Sequence, residues 1–294
     1  MDDRSDKLRA FYAQLICAAA RTEDPRIEQA FRTVRREPFV GPGPWSISLG
    51  GHPYVVTPDD DPAFIYQNTL LALDTTRGIN IGMPGAHAYW LSGCGVREGE
   101  TVLQIGAGSG YYTAILAHLV GPRGRVYAYE IDPALAALAR ENLKEIAAVE
   151  LRERSGIAPG LPAADVIYVC AGAVQPAGEW LDALRPGGRL AFPLAPEGVL
   201  GGMLMITRPE QGPIWPARFL GRAQFVGCAG LQDEEAGRRL MDAFAKGWER
   251  VQSFRREGTP DATCWFAGEG WWLSTAPAAL PAGNIRPHAD ITQA

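Results

Sequence analysis

The stretch VLQIGAGSGYYTAILAHL, residues 102–119, constrains this chain more than any other. An apolar run of strand type passes into Gly106, Gly108 and Gly110, and these lead directly into an apolar stretch of helical character. A strand that turns straight into a helix needs backbone angles that residues with a Cβ resist, and Gly106 supplies them. Gly108 lets a ligand approach the backbone, and Gly110 lets the new helix pack close to the strand. The first turn of that helix leaves N–H groups without intrahelical partners, which suits ligand acceptor atoms. The same geometry also serves as a purely structural turn, so the loop by itself leaves both readings open.

The flanking pattern extends the constraint. TVLQI (101–105) and GRVYAYE (124–130) read as strands, and DPALAALARENLKEI (132–146) as a helix capped by Asp132 with Pro133 at its first position. VELR (149–152) reads as a third strand, and ADVIYVCAGA (164–173) as a fourth, apolar enough to be buried on both faces. EWLDALRPGGRLAFPL (179–194) reads as a helix, a Pro-Gly-Gly stop and a fifth strand; GGMLMITRP and ARFLGRAQFV add two more. Alternation that ends in consecutive strands predicts a doubly wound α/β sheet with an antiparallel end. Upstream, residues 5–37 read as one or two helices, and Pro38–Pro62 as a long structured loop that is either a substrate wall or simple wrapping. Downstream of Leu231 come a charged helix and a hairpin over 264–274 centred on Gly-Glu-Gly. Its Trp265, Trp271 and Trp272 are read as core packing in preference to a substrate wall. The expected organisation is 1–95, N-terminal helices and acceptor-side loop; 96–230, cofactor-binding core; and 231–294, a helix and aromatic hairpin.

The glycine spacing G-A-G-S-G is not the G-x-G-x-x-G of dinucleotide sites, and no G-K-[ST] follows as a phosphate loop would require. Glu130 ends the second strand, twenty positions beyond Gly110, where a carboxylate can accept ribose hydroxyls. A tight glycine loop with a ribose acid fits S-adenosylmethionine better than NAD. Residues 96–194 resemble the core of a class I S-adenosylmethionine-dependent methyltransferase, with its seven-stranded Rossmann-like sheet. Within that superfamily VLQIGAGSGYYTAILA, GRVYAYEID, ADVIYVCAGA, LRPGGRLAFPL and the lead-in REPFV (36–40) resemble the protein-L-isoaspartate O-methyltransferases, over roughly residues 30–226. The resemblance implies S-adenosylmethionine as cofactor. It places Gly106, Ala107, Gly108, Ser109, Gly110, Tyr111, Glu130, Ile131, Ser155 and Gly156 at the cofactor. One of Tyr111 and Tyr112 would cover the methionine part, and the other would be core.

The chain departs from that family at two places. Where the family has Thr-Ile-Ser-Gln-Pro beside the transferred methyl, this chain has NIGMP (80–84), with Gly82 for the serine and Met83 for the glutamine. Where the family has Gly-Asp-Gly after the third strand, this chain has RSG (154–156), with Ser155 for the acid. The expectation is therefore O-methylation of a carboxylate, in a peptide or small molecule, without standard isoaspartyl repair. Asn80 is a candidate hydrogen-bonding group for the acceptor. His87 is either a base for an alcohol or phenol acceptor or a structural histidine. A phenol, alcohol or amine methyltransferase and an inactive cofactor-binding interaction module are the competing readings. A nicotinamide dehydrogenase is disfavoured by the glycine spacing.

Composition excludes other classes. Lys and Arg number 28 against 33 Asp and Glu, a net charge of −5, which is not the basic footprint of a nucleic-acid protein. No apolar run reaches the roughly 18–20 residues that cross a bilayer, and MDDRSDKLRAF lacks a signal peptide's apolar centre, so a cytoplasmic protein is expected. Cys17, Cys94, Cys170, Cys228 and Cys264 show no C-x-x-C spacing and are read as reduced thiols, with no metal site. The expected partner is a methyl acceptor; the oligomeric state stays open.

Overall fold

The computed structural model describes residues 3–50 and 53–278. The chain begins with α1 (Asp3–Ala20) and α2 (Pro25–Thr33). Asp24 caps α2 by accepting from the N–H of Arg26, with Pro25 at the first helical position. A single helical turn, α3 (Glu37–Val40), follows.

Residues 38–62, expected as loop, instead contribute to a small sheet. Strands β1 (Ser46–Ser48), β2 (Val55–Val56), β3 (Leu70–Asp74) and β4 (Ile79–Asn80) pair in the order β2-β1-β3-β4. β1, β2 and β4, of two or three residues each, carry no readable alternation, so pattern alone missed them. Gly51 and His52, also in that stretch, lie outside the described residues.

The main layer then unrolls as α4 (Pro84–Cys94), β5 (Thr101–Ile105), α5 (Tyr111–Val120), β6 (Arg125–Glu130), α6 (Pro133–Leu143), β7 (Val149–Glu153) and β8 (Ala164–Val169). It continues through α7 (Gly178–Ala183), β9 (Leu184–Leu194), β10 (Gly201–Thr207), β11 (Ile214–Ala223), α8 (Glu234–Phe244), β12 (Ser253–Arg255), β13 (Cys264–Gly268) and β14 (Trp271–Ser274). The sheet order is β13-β14-β12-β11-β10-β9-β8-β5-β6-β7. Strands β7 through β9 of that order run parallel, and pairing turns antiparallel from β9 to β10 onward. The doubly wound seven-stranded sheet is thus present as β7-β6-β5-β8-β9-β10-β11. The hairpin does not stand apart from it: β12 pairs with β11, β14 with β12 and β13 with β14, which carries the sheet to ten strands.

Period-two alternation divides the core between the two faces. On β5 and β8, Val102 and Val166 face the side covered by α1, α2, α4, α5 and α6, while Leu103 and Ile167 face the side covered by α7 and α8. Trp271 and Trp272 are buried, with Trp271 stacked near Phe254 and Phe266, as core packing requires. Two boundaries differ from expectation. The Pro-Gly-Gly of 186–188 lies inside β9, where the pairing with β8 shifts register, instead of ending a helix before it. The helix after Leu231 stops at Phe244, just before the left-handed Gly247. Residues 279–294 of the expected C-terminal unit lie outside the described residues.

Candidate active site

All three loop glycines take left-handed backbone angles: φ is +79° at Gly106, +57° at Gly108 and +95° at Gly110. Their surroundings separate their roles. A Cβ on Gly106 would sit 3.2 Å from the carbonyl oxygen of Cys170, and one on Gly110 would sit 2.8 Å from Leu143. Gly110 therefore admits a residue of α6, not the strand that sequence reasoning named. A Cβ on Gly108 would meet nothing within 4 Å, so space lies open over that residue.

The loop is sewn to β6. The N–H groups of Gly106 and Ala107 donate to the Tyr129 carbonyl at 2.9 and 3.0 Å. The N–H of Gly108 donates to Glu130 Oε2 at 2.7 Å. The other carboxylate oxygen of Glu130 accepts from Ile131 and Asp132 N–H at 2.9 and 3.0 Å. Glu130 is only 6% exposed, whereas Ile131 beside it is 57% exposed. Asn142 of α6 donates to the carbonyl of Ser109, whose own hydroxyl is buried with no protein partner. In the loop after β7, Ser155 accepts from the N–H of Ile157, and the Gly156 carbonyl accepts from the buried Trp180 at 2.9 Å. A Cβ at 156 would strike Ile105, so Gly156 is needed for that loop to lie on β5.

Of the two tyrosines, Tyr111 is the one that packs in the core. Its side chain points away from the loop, into packing with Tyr12, Phe31 and Phe39 and beneath the Arg36 guanidinium. Only its backbone, at the start of α5, faces the loop. Tyr112 supports the Gly82 turn instead. Its hydroxyl donates to the Gly82 carbonyl at 3.3 Å, and its ring stacks on His87 at 3.6 Å and 8°.

Asn80 and His87 lie close together in the chain at residues 80–87; Asn80 spends its amide on its own turn, and His87 takes the structural one of its two expected readings. Asn80 Oδ1 accepts from Gly82 N–H at 2.8 Å and its Nδ2 donates to the Gly78 carbonyl at 3.2 Å, so its amide shapes the turn. His87 is 2% exposed, with Nδ1 2.9 Å from the Tyr168 hydroxyl. Burial pushes its imidazole down to about 3, so it stays neutral and is a poor proton acceptor. Gly82 has φ +76°, and a Cβ there would lie 2.3 Å from His87 Nε2. Met83 sits at the start of α4, close to Gly50 of the β1–β2 connection. The sequence singles out Glu130, Tyr112 and Gly82 but not the contacts they make, and it does not single out Tyr168 at all; Tyr168 is 81 positions from His87 and Glu130 is 22 from Gly108. Among the described residues no cluster of His, Cys, Asp and Glu could hold a metal ion, and no helix is long and apolar enough to cross a membrane.

Residues 13–214 match the family model described as Protein-L-isoaspartate(D-aspartate) O-methyltransferase (PCMT). This chain belongs to the protein-L-isoaspartate O-methyltransferase family. Protein-L-isoaspartate O-methyltransferase 2 of Anaeromyxobacter sp. (strain Fw109-5) is 34% identical over 212 residues, covering 69% of this chain and 78% of that protein. The protein-L-isoaspartate O-methyltransferase of Anaeromyxobacter dehalogenans (strain 2CP-C) is 42% identical over 154 residues, covering 49% of this chain and 72% of that protein. Among solved structures, one protein-L-isoaspartate O-methyltransferase superposes with a TM-score of 0.61 at 20% identity, covering 81% of this chain and 69% of that one. A putative family member from Plasmodium falciparum, in complex with S-adenosyl-L-homocysteine, gives 0.58 at 18% identity, covering 75% of this chain and 97% of its own. These two likenesses bear on the fold, and they agree with the observed sheet. The family match ends where β11 begins, so α8 and strands β12, β13 and β14 lie beyond it. Gly82, Met83 and Ser155 lie inside it, so the positions where this chain departs from the family's expected motifs fall within the matched stretch.

Proposed function

We propose that this chain is an S-adenosylmethionine-dependent O-methyltransferase acting on a carboxylate of a peptide or protein, with an acceptor pocket unlike that of an isoaspartyl repair enzyme. The observation that carries the cofactor half is the 2.7 Å bond from Gly108 N–H to Glu130, under open space. The residues fit the group. Gly108 leaves room for it, the buried Ser109 hydroxyl lacks a partner, and exposed Ile131 offers an apolar surface next to the acid. Glu130 already accepts from three backbone N–H groups, which leaves about one of its roughly four acceptor positions for ribose hydroxyls.

Bound there, S-adenosylmethionine supplies a methyl group activated on a sulfonium, which a carboxylate oxygen displaces. A carboxylate is ionised at neutral pH, so the site needs no general base. That agrees with the neutral, buried His87, which argues against the phenol and alcohol acceptors that would need one. The protein's task is then to hold acceptor and donor in line and to keep water out. Gly106 and Gly110 fix the loop, Glu130 anchors it, and Asn80 and Tyr112 hold Gly82 in its turn. Gly82 brings no hydroxyl to the acceptor, and Met83 brings an adaptable apolar chain. A pocket that lacks buried polar partners discriminates weakly for a polar acceptor. We further propose that 96–230 is the cofactor unit, flanked by 1–95 on the acceptor side and 231–294 as an extension.

Calorimetry with S-adenosylhomocysteine and with NAD tests the cofactor. The first should bind and the second should not, and Glu130→Ala should weaken binding by about 1–3 kcal/mol. A radiolabelled methyl assay tests the acceptor: base-labile incorporation into acidic peptides, with little into an isoaspartyl peptide. Isoaspartyl turnover above that of the other carboxylates would refute the acceptor half and leave the cofactor half standing.

A further inference from the structure

The β3–β4 hairpin carries the acceptor segment at its far end, because Asn80 closes β4 and sets the turn of Gly82. Its tight end is built around Asp74. That carboxylate accepts from the N–H of Thr76 at 2.9 Å, the hydroxyl of Thr76 at 2.6 Å and the N–H of Arg77 at 3.3 Å. Its other oxygen accepts from Arg77 Nε at 2.8 Å. The hairpin thus fixes the direction of its own arginine. From there Arg77 Nη1 crosses to Asp132 Oδ2 at 2.6 Å.

Asp132 belongs to a different element, the turn between β6 and α6. Its Oδ1 caps α6, accepting from Ala134 and Leu135 N–H at 2.9 and 3.0 Å. Its own N–H donates to Glu130, which holds Gly108. A continuous line of polar contacts therefore runs from the acceptor hairpin through Arg77, Asp132 and Glu130 to the glycine loop. The exposed Ile131 lies within that line, so a ligand on Glu130 lies beside the crossing.

We propose that Arg77 is a positioning residue that clips the acceptor-bearing hairpin to the rim of the cofactor cleft through Asp132. The inference rests on the cofactor reading above for its consequence, and on the contacts alone for the clip itself. Arg77 and Asp132 side chains are 50% and 18% exposed, so solvent weakens the pair and the clip opens readily. Opening frees the hairpin at the rim; closure fixes Gly82 relative to Glu130 and slows departure of what Glu130 holds.

The test uses Arg77→Met, Asp132→Asn and the double variant of the full chain. Asparagine keeps an N-cap oxygen for α6 while losing the charge. Two readouts are taken: amide hydrogen exchange over 74–83 in the cofactor-free protein, and the dissociation rate of S-adenosylhomocysteine by stopped flow. Each single variant should speed both by roughly three- to fivefold, and the double variant no further than Arg77→Met, which also loses the Asp74 contact. The two substitutions change net charge in opposite directions, so a shift of the same sign in both reports the contact and not the field. Half-molar salt should move the wild type towards the variants. Unchanged exchange over 74–83, or effects that multiply in the double variant, would overturn the clip. Absence of S-adenosylhomocysteine binding in the wild type would instead refute the cofactor reading, and hydrogen exchange would still decide the clip.

Discussion

Gly82→Ala is the perturbation whose cost the structure sets most directly. At φ +76° an alanine strains the backbone by about 1–2 kcal/mol. Its Cβ would also stand 2.3 Å from His87 Nε2, well inside contact distance. The imidazole cannot simply swing away, because Tyr112 stacks on one face and the Tyr168 hydroxyl holds Nδ1. Overpacking of that kind costs about 1–3 kcal/mol, so Gly82→Ala should destabilise by about 2–5 kcal/mol in total. Urea unfolding with an unchanged slope would read this directly. The double variant with His87→Ala separates the two contributions, since removing the ring relieves the clash and leaves the backbone strain. The double variant should be more stable than the sum of the single effects by about 1–3 kcal/mol. Additive effects, or a Gly82→Ala variant within about 0.5 kcal/mol of wild type, would refute the reasoning. Serine carries the same Cβ, so Gly82→Ser meets the same obstacle, and adding Met83→Gln does not remove it. Restoring the family's residues at these two positions should therefore not create strong isoaspartyl activity.

Stability should also depend on pH through His87. Its folded-state value of about 3 lies below the ordinary 6.5, so between those limits the unfolded chain binds a proton that the folded chain does not. The contribution is complete above 6.5 and is lost as pH falls, by about 2 kcal/mol at pH 5. Urea midpoints from pH 7.5 to 5 should fall more steeply in wild type than in His87→Gln; His118 stays in both, and equal slopes would contradict the assignment. Gly108→Val should abolish S-adenosylhomocysteine binding by calorimetry while the fold persists. The open space around that Cβ limits the cost to about 1–2 kcal/mol of backbone strain. Retained affinity in that variant would place the cofactor elsewhere.

What the sequence made legible was whatever is local. The three glycines, Asp132 with Pro133, and the apolar runs of β5, β6 and β8 each declare their conformation within a few residues, and each is where it was expected. The small β2-β1-β3-β4 sheet was not legible, because three of its four strands are two or three residues long and hold too few side chains to show a period. The roles of Tyr111, Asn80 and His87 were not legible for a different reason. Each depends on a partner chosen by folding: Tyr111 on Tyr12 at 99 positions' distance, His87 on Tyr168 at 81. Asn80 shows that even a local contact is ambiguous when the side chain is an amide, since binding a ligand and closing a turn call for the same two groups. The Gly82 departure joins both lessons. In sequence it reads as a missing hydroxyl, whereas in the fold it is also the room that His87 occupies. The substitution and the buried imidazole thus form one packing unit, and a change in acceptor preference has to be sought in both residues together.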